Sequence, residues 1–265
     1  MRVEEARRFV LAPRPGRPVR SLCWQGDELV DWAGGGVRYG LDGSIADPCF
    51  NFAYAFDKAA TLPDGRCAVV YEQLGTKGVI LKEGRIHRQI NRDFYCAQAY
   101  EYPVALLTLP DGRDAIAHCP EEYRKLEIEE IETGKPLTSR QGAPLDFFHS
   151  RLQVSPSGQS LLSAGWVWHP LDTVQFYDIQ RALAEPGILD RNENGHWVPI
   201  QGLNGMEEIH SAAFIDDDSI VVAGGNSEYA YEDDDEGELF IGVYSVAGNR
   251  LGSKVRMEEA AGTLM

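Results

Sequence analysis

The chain has 265 residues, 43% hydrophobic and 25% charged, with 27 glycines, which excludes a disordered chain and suits one that turns often. Lys and Arg number 25 against 41 Asp and Glu, a net charge of −16; such a field repels phosphate backbones and anionic membranes, which argues against nucleic acid and bilayer surfaces and for a basic protein partner. The five cysteines form no Cys-x-x-Cys pair, the first eighteen residues lack a signal-peptide core, and the longest apolar runs, such as 104–109, are too short to span a bilayer, so the expectation is a reduced, cytoplasmic protein without a zinc site or disulfide framework.

Charge patterning over residues 2–9 suits a short helix, and Arg8–Ala12 a strand. Next comes SLCWQGDELVDWAGG (21–35), followed by GGVRYGLDGS (35–44). A stronger hairpin signal follows in AATLPDGRCAVVYE (59–72), and it recurs in LLTLPDGRDAIAHC (106–119) and LQVSPSGQSLLSAG (152–165). Each copy places an apolar run, a Pro-Asp-Gly or Pro-Ser-Gly turn and a second apolar run in order. The turn residues Gly65, Gly112 and Gly158 recur at the period of a propeller blade. A weaker fifth copy, SAAFIDDDSIVVAGG, closes the series at 211–225.

Each hairpin is followed by a third run, at 77–86, 125–135, 172–180 and 238–249 after the first, and most contain a turn that leads to a fourth strand. The predicted fold is all-β: a single propeller domain over residues 1–265, with four-stranded blades near 20–48, 52–95, 96–140, 146–188 and 207–257. Five units are visible and a sixth blade is open as the alternative, with the ring closed by the N-terminal strand and the apolar C-terminus AAGTLM. A second short helix is expected over 179–187, stopping at Pro186-Gly187, and 189–205 reads as an elaborated loop.

The fourth unit, LQVSPSGQSLLSAGW followed by TVQFYDIQ, resembles a blade of the WD-repeat-like propeller families, here a divergent bacterial member. Tyr177-Asp178 stands where those families usually have Trp-Asp. The resemblance covers residues 20–250 as a pattern of spacing and implies the fold. It implies no single function, because propellers host both binding scaffolds and enzymes.

Two units share a signature ahead of their hairpins: Asp146, two residues, His149, Ser150, and Glu207, two residues, His210, Ser211. One reading makes Asp146, His149, Glu207 and His210 metal ligands at a channel, as in lactonase-type propeller enzymes. The other has each histidine fixing a neighbouring blade, and two histidines make an incomplete ligand set. Ser150 and Ser211 point away from the adjacent histidines, and no Gly-x-Ser-x-Gly elbow is present. No catalytic constellation or cofactor is expected.

Binding residues are expected elsewhere. Trp166, Trp168 and His169 leave a strand and enter a loop as aromatic anchors. Tyr229 and Tyr231 precede an acidic run that includes Asp233, Asp234 and Asp235, a loop suited to a basic surface. Glu127, Glu129 and their neighbours read as charge on an exposed outer strand. The functional expectation is a non-enzymatic binding protein, in its most specific form a bacterial immunity protein that neutralises a basic toxin such as a nuclease. A metal-dependent lactonase-like hydrolase and a general interaction scaffold are the alternatives.

Overall fold

The computed structural model describes residues 18–168, 171–191, 202–203, 207–226, 239–261 and 264. The described residues fall into two compact units, those within 18–73 and 77–90, and those within 74–76 and 91–264.

The first unit holds two four-stranded antiparallel meanders. One is β1 (Cys23–Gln25), β2 (Glu28–Asp31), β3 (Val37–Gly40) and β4 (Ile45–Ala46); the other is β5 (Lys58–Thr61), β6 (Cys67–Tyr71), β7 (Lys77–Lys82) and β8 (Arg85–Asn91). Val30, Trp32, Phe56, Val70 and Leu81 are buried in one cluster between them. At the end of β2 the carboxylate of Asp31 is also buried, and it accepts hydrogen bonds from the backbone N–H groups of Arg20, Ser21 and Gly34 at 2.9–3.1 Å. Three donors replace the water that a buried carboxylate loses.

The second unit begins with β9 (Val104–Thr108), β10 (Asp114–His118) and β11 (Glu127–Glu130). A single bridge, Glu129 to Pro136, and the bond from Leu137 N–H to the Ile128 carbonyl at 2.8 Å stand where a fourth strand was expected. That segment covers β11 and corrects the outer-strand reading of its acids. Glu127 is buried and accepts from Thr138 N–H at 3.0 Å and Thr138 Oγ1 at 2.6 Å, with Arg140 at 3.7 Å. Glu129 is nearly buried, 3.4 Å from His118.

The next sheet contains β12 (Phe147–Phe148), β13 (Leu152–Val154), β14 (Ser160–Val167) and β15 (Leu171–Asp178). Both β12 and β13 pair with β14, so its innermost strand is one line interrupted at residues 149–151, where Arg151 has φ 45°. After β15 the chain forms helix α1 (Ile179–Ala184) in place of another strand. Asp178 caps it by accepting from Arg181 N–H at 2.8 Å, and Pro186 follows as a stop. Ile179 and Ala182 of α1 join Leu107, Ala117, Ile128, Leu161 and Tyr177 in one core.

The last sheet is the meander β16 (Glu207–Phe214), β17 (Ser219–Asn226), β18 (Phe240–Ser245) and β19 (Arg250–Arg256). Leu162, Ile209, Val222, Phe240 and Tyr244 pack between it and the preceding sheet.

The recurring glycine has one structural meaning. Gly65, Gly112 and Gly158 adopt φ of 68°, 85° and 76°, and each donates its N–H to the residue three back, Leu62, Leu109 and Ser155, at 2.8 Å. This is a type I turn followed by a left-handed residue, which joins strands with the right twist. Of the closing strands expected at the ends, residues 8–12 lie outside the described residues. Leu264 is held by Ser211 Oγ, which accepts its N–H at 2.8 Å, and no strand beyond Arg256 occurs among the described residues. No described helix is long and apolar enough to cross a membrane.

Candidate functional site

Antiparallel pairing sets Phe148 of β12 opposite Trp166 of β14, and the period of two puts Trp168 on the same face as Trp166. The Phe148 and Trp166 rings stack at 3.8 Å with 4° between planes. Tyr123, from the loop between β10 and β11, stacks on Phe148 at 4.0 Å, and Tyr95 stacks on Tyr123 at 5.3 Å. Trp168 stands at 88° to Trp166 and 86° to Phe148.

Gly165 makes the stack possible. A Cβ there would lie 1.9 Å from the Phe148 carbonyl oxygen and 2.9 Å from the Phe147 ring, so only glycine lets β12 approach β14. Phe148 is fully buried while Trp168 is 46% exposed, Tyr95 45% and Phe94 82%. The result is an aromatic ladder with a closed centre and an open rim. Exposed rings grouped in this way are unusual on a surface that binds nothing.

The loop that carries Phe94 and Tyr95 is tied down by Arg92, which is only 5% exposed. Its Nε donates to the Gly75 carbonyl at 2.7 Å, and Nη2 donates to the carbonyls of Ala97 at 2.8 Å and Tyr100 at 3.1 Å. The guanidinium also lies 4.5 Å from the centre of the Tyr100 ring. Burial lowers the Arg92 pKa from its ordinary value, opposed by Tyr100 and Tyr102. Asp93 adds a local turn by accepting from Tyr95 N–H at 3.1 Å.

The rim is acidic. Asp146 is exposed and accepts the Tyr123 hydroxyl, and burial followed by that bond pushes the Tyr123 phenol up to about 12. The nearby bases already have partners: Arg124 meets Glu122 at 3.1 Å and Lys125 meets Glu121 at 2.5 Å.

The acid and histidine signature comes out differently. His149 is buried, with Nδ1 3.1 Å from Ser163 Oγ; burial first and the Arg140 charge second lower its pKa to about 3, so the ring is neutral. A backbone hydrogen bond at Arg124, in the loop between β10 and β11, also ties the ring to the preceding sheet, as the blade-fixing reading expects. Asp146 turns outward to Tyr123, Glu207 pairs with Lys254 Nζ at 2.6 Å, and Arg151 donates to the His210 carbonyl at 2.7 Å. Among the described residues no three His, Cys, Asp or Glu side chains gather as a metal-binding group. The shared motif marks a break in the innermost strand: the interruption at 149–151 in one sheet and a register shift between Ile209 and Ser211 in the next.

Trp166 and Trp168 therefore lie in one site with Tyr95, Tyr123 and Phe148, which the sequence reading did not single out. Their available signal was an aromatic beside acids in loops that leave a strand, Asp93-Phe94-Tyr95 and Glu121-Glu122-Tyr123. His169, Tyr229, Tyr231, Asp233, Asp234 and Asp235 lie outside the described residues. The first unit has a separate cavity of about 550 Å³ lined by Trp32, Arg38, Phe50 and Phe52. Its arginines are paired, Arg38 with Glu28 at 3.0 Å and Arg66 with Asp64 at 3.1 Å, and Glu83 also lines it, so it presents no unmatched cation to a ligand.

No protein-family model matches the chain, and no curated protein matches it in sequence. Solved structures do. The WD40 domain of Neurospora crassa Pan2 superposes with a TM-score of 0.55 at 11% identity, over 94% of this chain and 69% of that one. Dihydro-heme d1 dehydrogenase NirN, in complex with DHE, aligns with a TM-score of 0.48 at 17% identity, over 90% of this chain and 47% of that one. With its antiparallel blade-type sheets, the chain has an all-β, WD40-like propeller fold.

Proposed function

We propose that the protein is an interaction scaffold that acts by binding a basic protein partner, with the aromatic ladder as its docking face and no catalytic step of its own. The observation that carries this is the half-exposed Trp168 set across a stacked ladder on a chain of net charge −16. A rigid aromatic anchor supplies contact area at little entropic cost, and the negative field speeds the approach of a cationic surface. The most specific form of the reading is an immunity protein that neutralises a cationic toxin such as a nuclease; it adds to the scaffold reading only the matching of charge.

The test is affinity capture on immobilised protein beside its Trp168→Ala variant. A basic protein held by the first and released from the second supports the scaffold reading, and stoichiometric inhibition of that protein's nuclease or other toxic activity supports the specific form. Partners retained equally by both columns would remove the ladder from the interface.

A further inference from the structure

We infer that the aromatic ladder and Asp146 form a receptor for an arginine side chain presented by the partner, an assignment that rests on the docking reading above. Phe148 has one face covered by Trp166 at 3.8 Å and the other by Tyr123 at 4.0 Å. Trp168 can therefore meet Phe148 only at its ring edge, and it stands upright beside the ladder with 46% of its surface open. Open aromatic faces of this kind attract a cation laid flat on them.

The carboxylate is placed to finish the recognition. One oxygen of Asp146 accepts the Tyr123 hydroxyl, and no other hydrogen bond reaches this exposed carboxylate among the described residues, which leaves its second oxygen available to a donor. Arg124 is near enough to feel the Asp146 charge, but its Nε is engaged by Glu122 at 3.1 Å. Asp93 adds a further negative charge at the foot of the Tyr95 loop. A guanidinium fits this set better than an ammonium, because it is planar, weakly hydrated, and donates from its edge while its face stacks. A neutral sugar stacks on the same rings without needing Asp146, which makes it the competing occupant.

The experiment titrates the full chain with a hexa-arginine peptide and with its hexacitrulline counterpart, which keeps the shape and loses the charge. Hexa-arginine is expected to bind at least about tenfold more tightly, and Trp168→Ala and Asp146→Asn are each expected to weaken it about five- to tenfold. Asp27→Asn, which removes an exposed carboxylate from a turn of the other unit, is expected to leave binding within about twofold. Circular dichroism confirms that each variant is folded.

Equal binding of hexacitrulline overturns the assignment in favour of a neutral ligand, and an Asp27→Asn loss equal to that of Asp146→Asn overturns it in favour of net charge alone. If a captured partner depends on Trp168 but is not displaced by hexa-arginine, the arginine assignment falls and the docking reading stands. If neither ligand depends on Trp168, both fall.

Discussion

Replacing Phe148 by alanine tests whether the ladder is a rigid platform or a loose collection of surface rings. The side chain is fully buried and stacks on both faces, at 3.8 Å and 4.0 Å, with Tyr100 edge-on at 5.4 Å. Truncating a buried phenylalanine costs about 3–5 kcal/mol through lost burial and the cavity left behind. Each aromatic stack adds about 0.5–1.5 kcal/mol beyond its area. The upper half of the range therefore applies, about 4–5 kcal/mol, a large share of the total stability of a domain.

Phe148→Leu keeps most of the apolar volume and loses the stacks, so about 1–3 kcal/mol is expected. Urea denaturation followed by tryptophan fluorescence measures both, and near-ultraviolet circular dichroism reports whether Trp166 keeps its asymmetric surroundings. A Phe148→Ala loss below about 1 kcal/mol with an unchanged near-ultraviolet spectrum would refute the reasoning, because the rings would then not depend on one another.

Arg92→Met should cost about 3–5 kcal/mol by stranding the carbonyls of Gly75, Ala97 and Tyr100, and Arg92→Lys should not rescue it, because one ammonium cannot span three acceptors; thermal melts of both variants check this. His149 is held neutral with a pKa of about 3, so below pH 6.5 the unfolded state takes up the proton first. Stability is then complete above pH 6.5 and is lost towards pH 3, at up to about 1.4 kcal/mol per pH unit from this group. His149→Gln should flatten that part of the pH profile in denaturant titrations at pH 7, 6 and 5. Gly165→Ala drives a Cβ to 1.9 Å from the Phe148 carbonyl oxygen and should cost more than about 2 kcal/mol. Gly112→Ala, with open space at φ 85°, should cost only the left-handed backbone penalty of about 1 kcal/mol; equal melting temperatures for the two would contradict the close-approach argument.

The repeat was legible because its turns are built locally. Pro63-Asp64-Gly65 and its copies contain the fixed φ, the side-chain acceptor and the left-handed residue that a tight hairpin needs, and nothing distant is required. The same holds for α1, whose cap Asp178 and stop Pro186 are both written in the chain. The acids of β11 were misread for the opposite reason. Alternation along a strand tells which side chains share a face, but not whether Leu137 and Thr138 return to cover that face.

The candidate site divides along the same line. Trp166 and Trp168 were visible as a pair because they are two residues apart where a strand runs out into a loop. Tyr95 and Tyr123 were not, because Tyr95 meets Tyr123 28 positions on, and Tyr123 meets the pair only through Phe148, a further 25 positions on, by way of loop paths that local sequence does not fix. The histidine signature was visible and pointed to chemistry, yet burial made His149 a neutral bond to Ser163.

The sequence by itself determined the all-β blade repeat, its turns and the sign of the charge, since these depend on backbone geometry and composition over a few residues. Only the tertiary structure decided which aromatics form one face, which acids are buried, and where a carboxylate is left open beside a ring. Those outcomes depend on which strands lie opposite one another and on the dielectric that packing creates, and no local stretch of chain contains either.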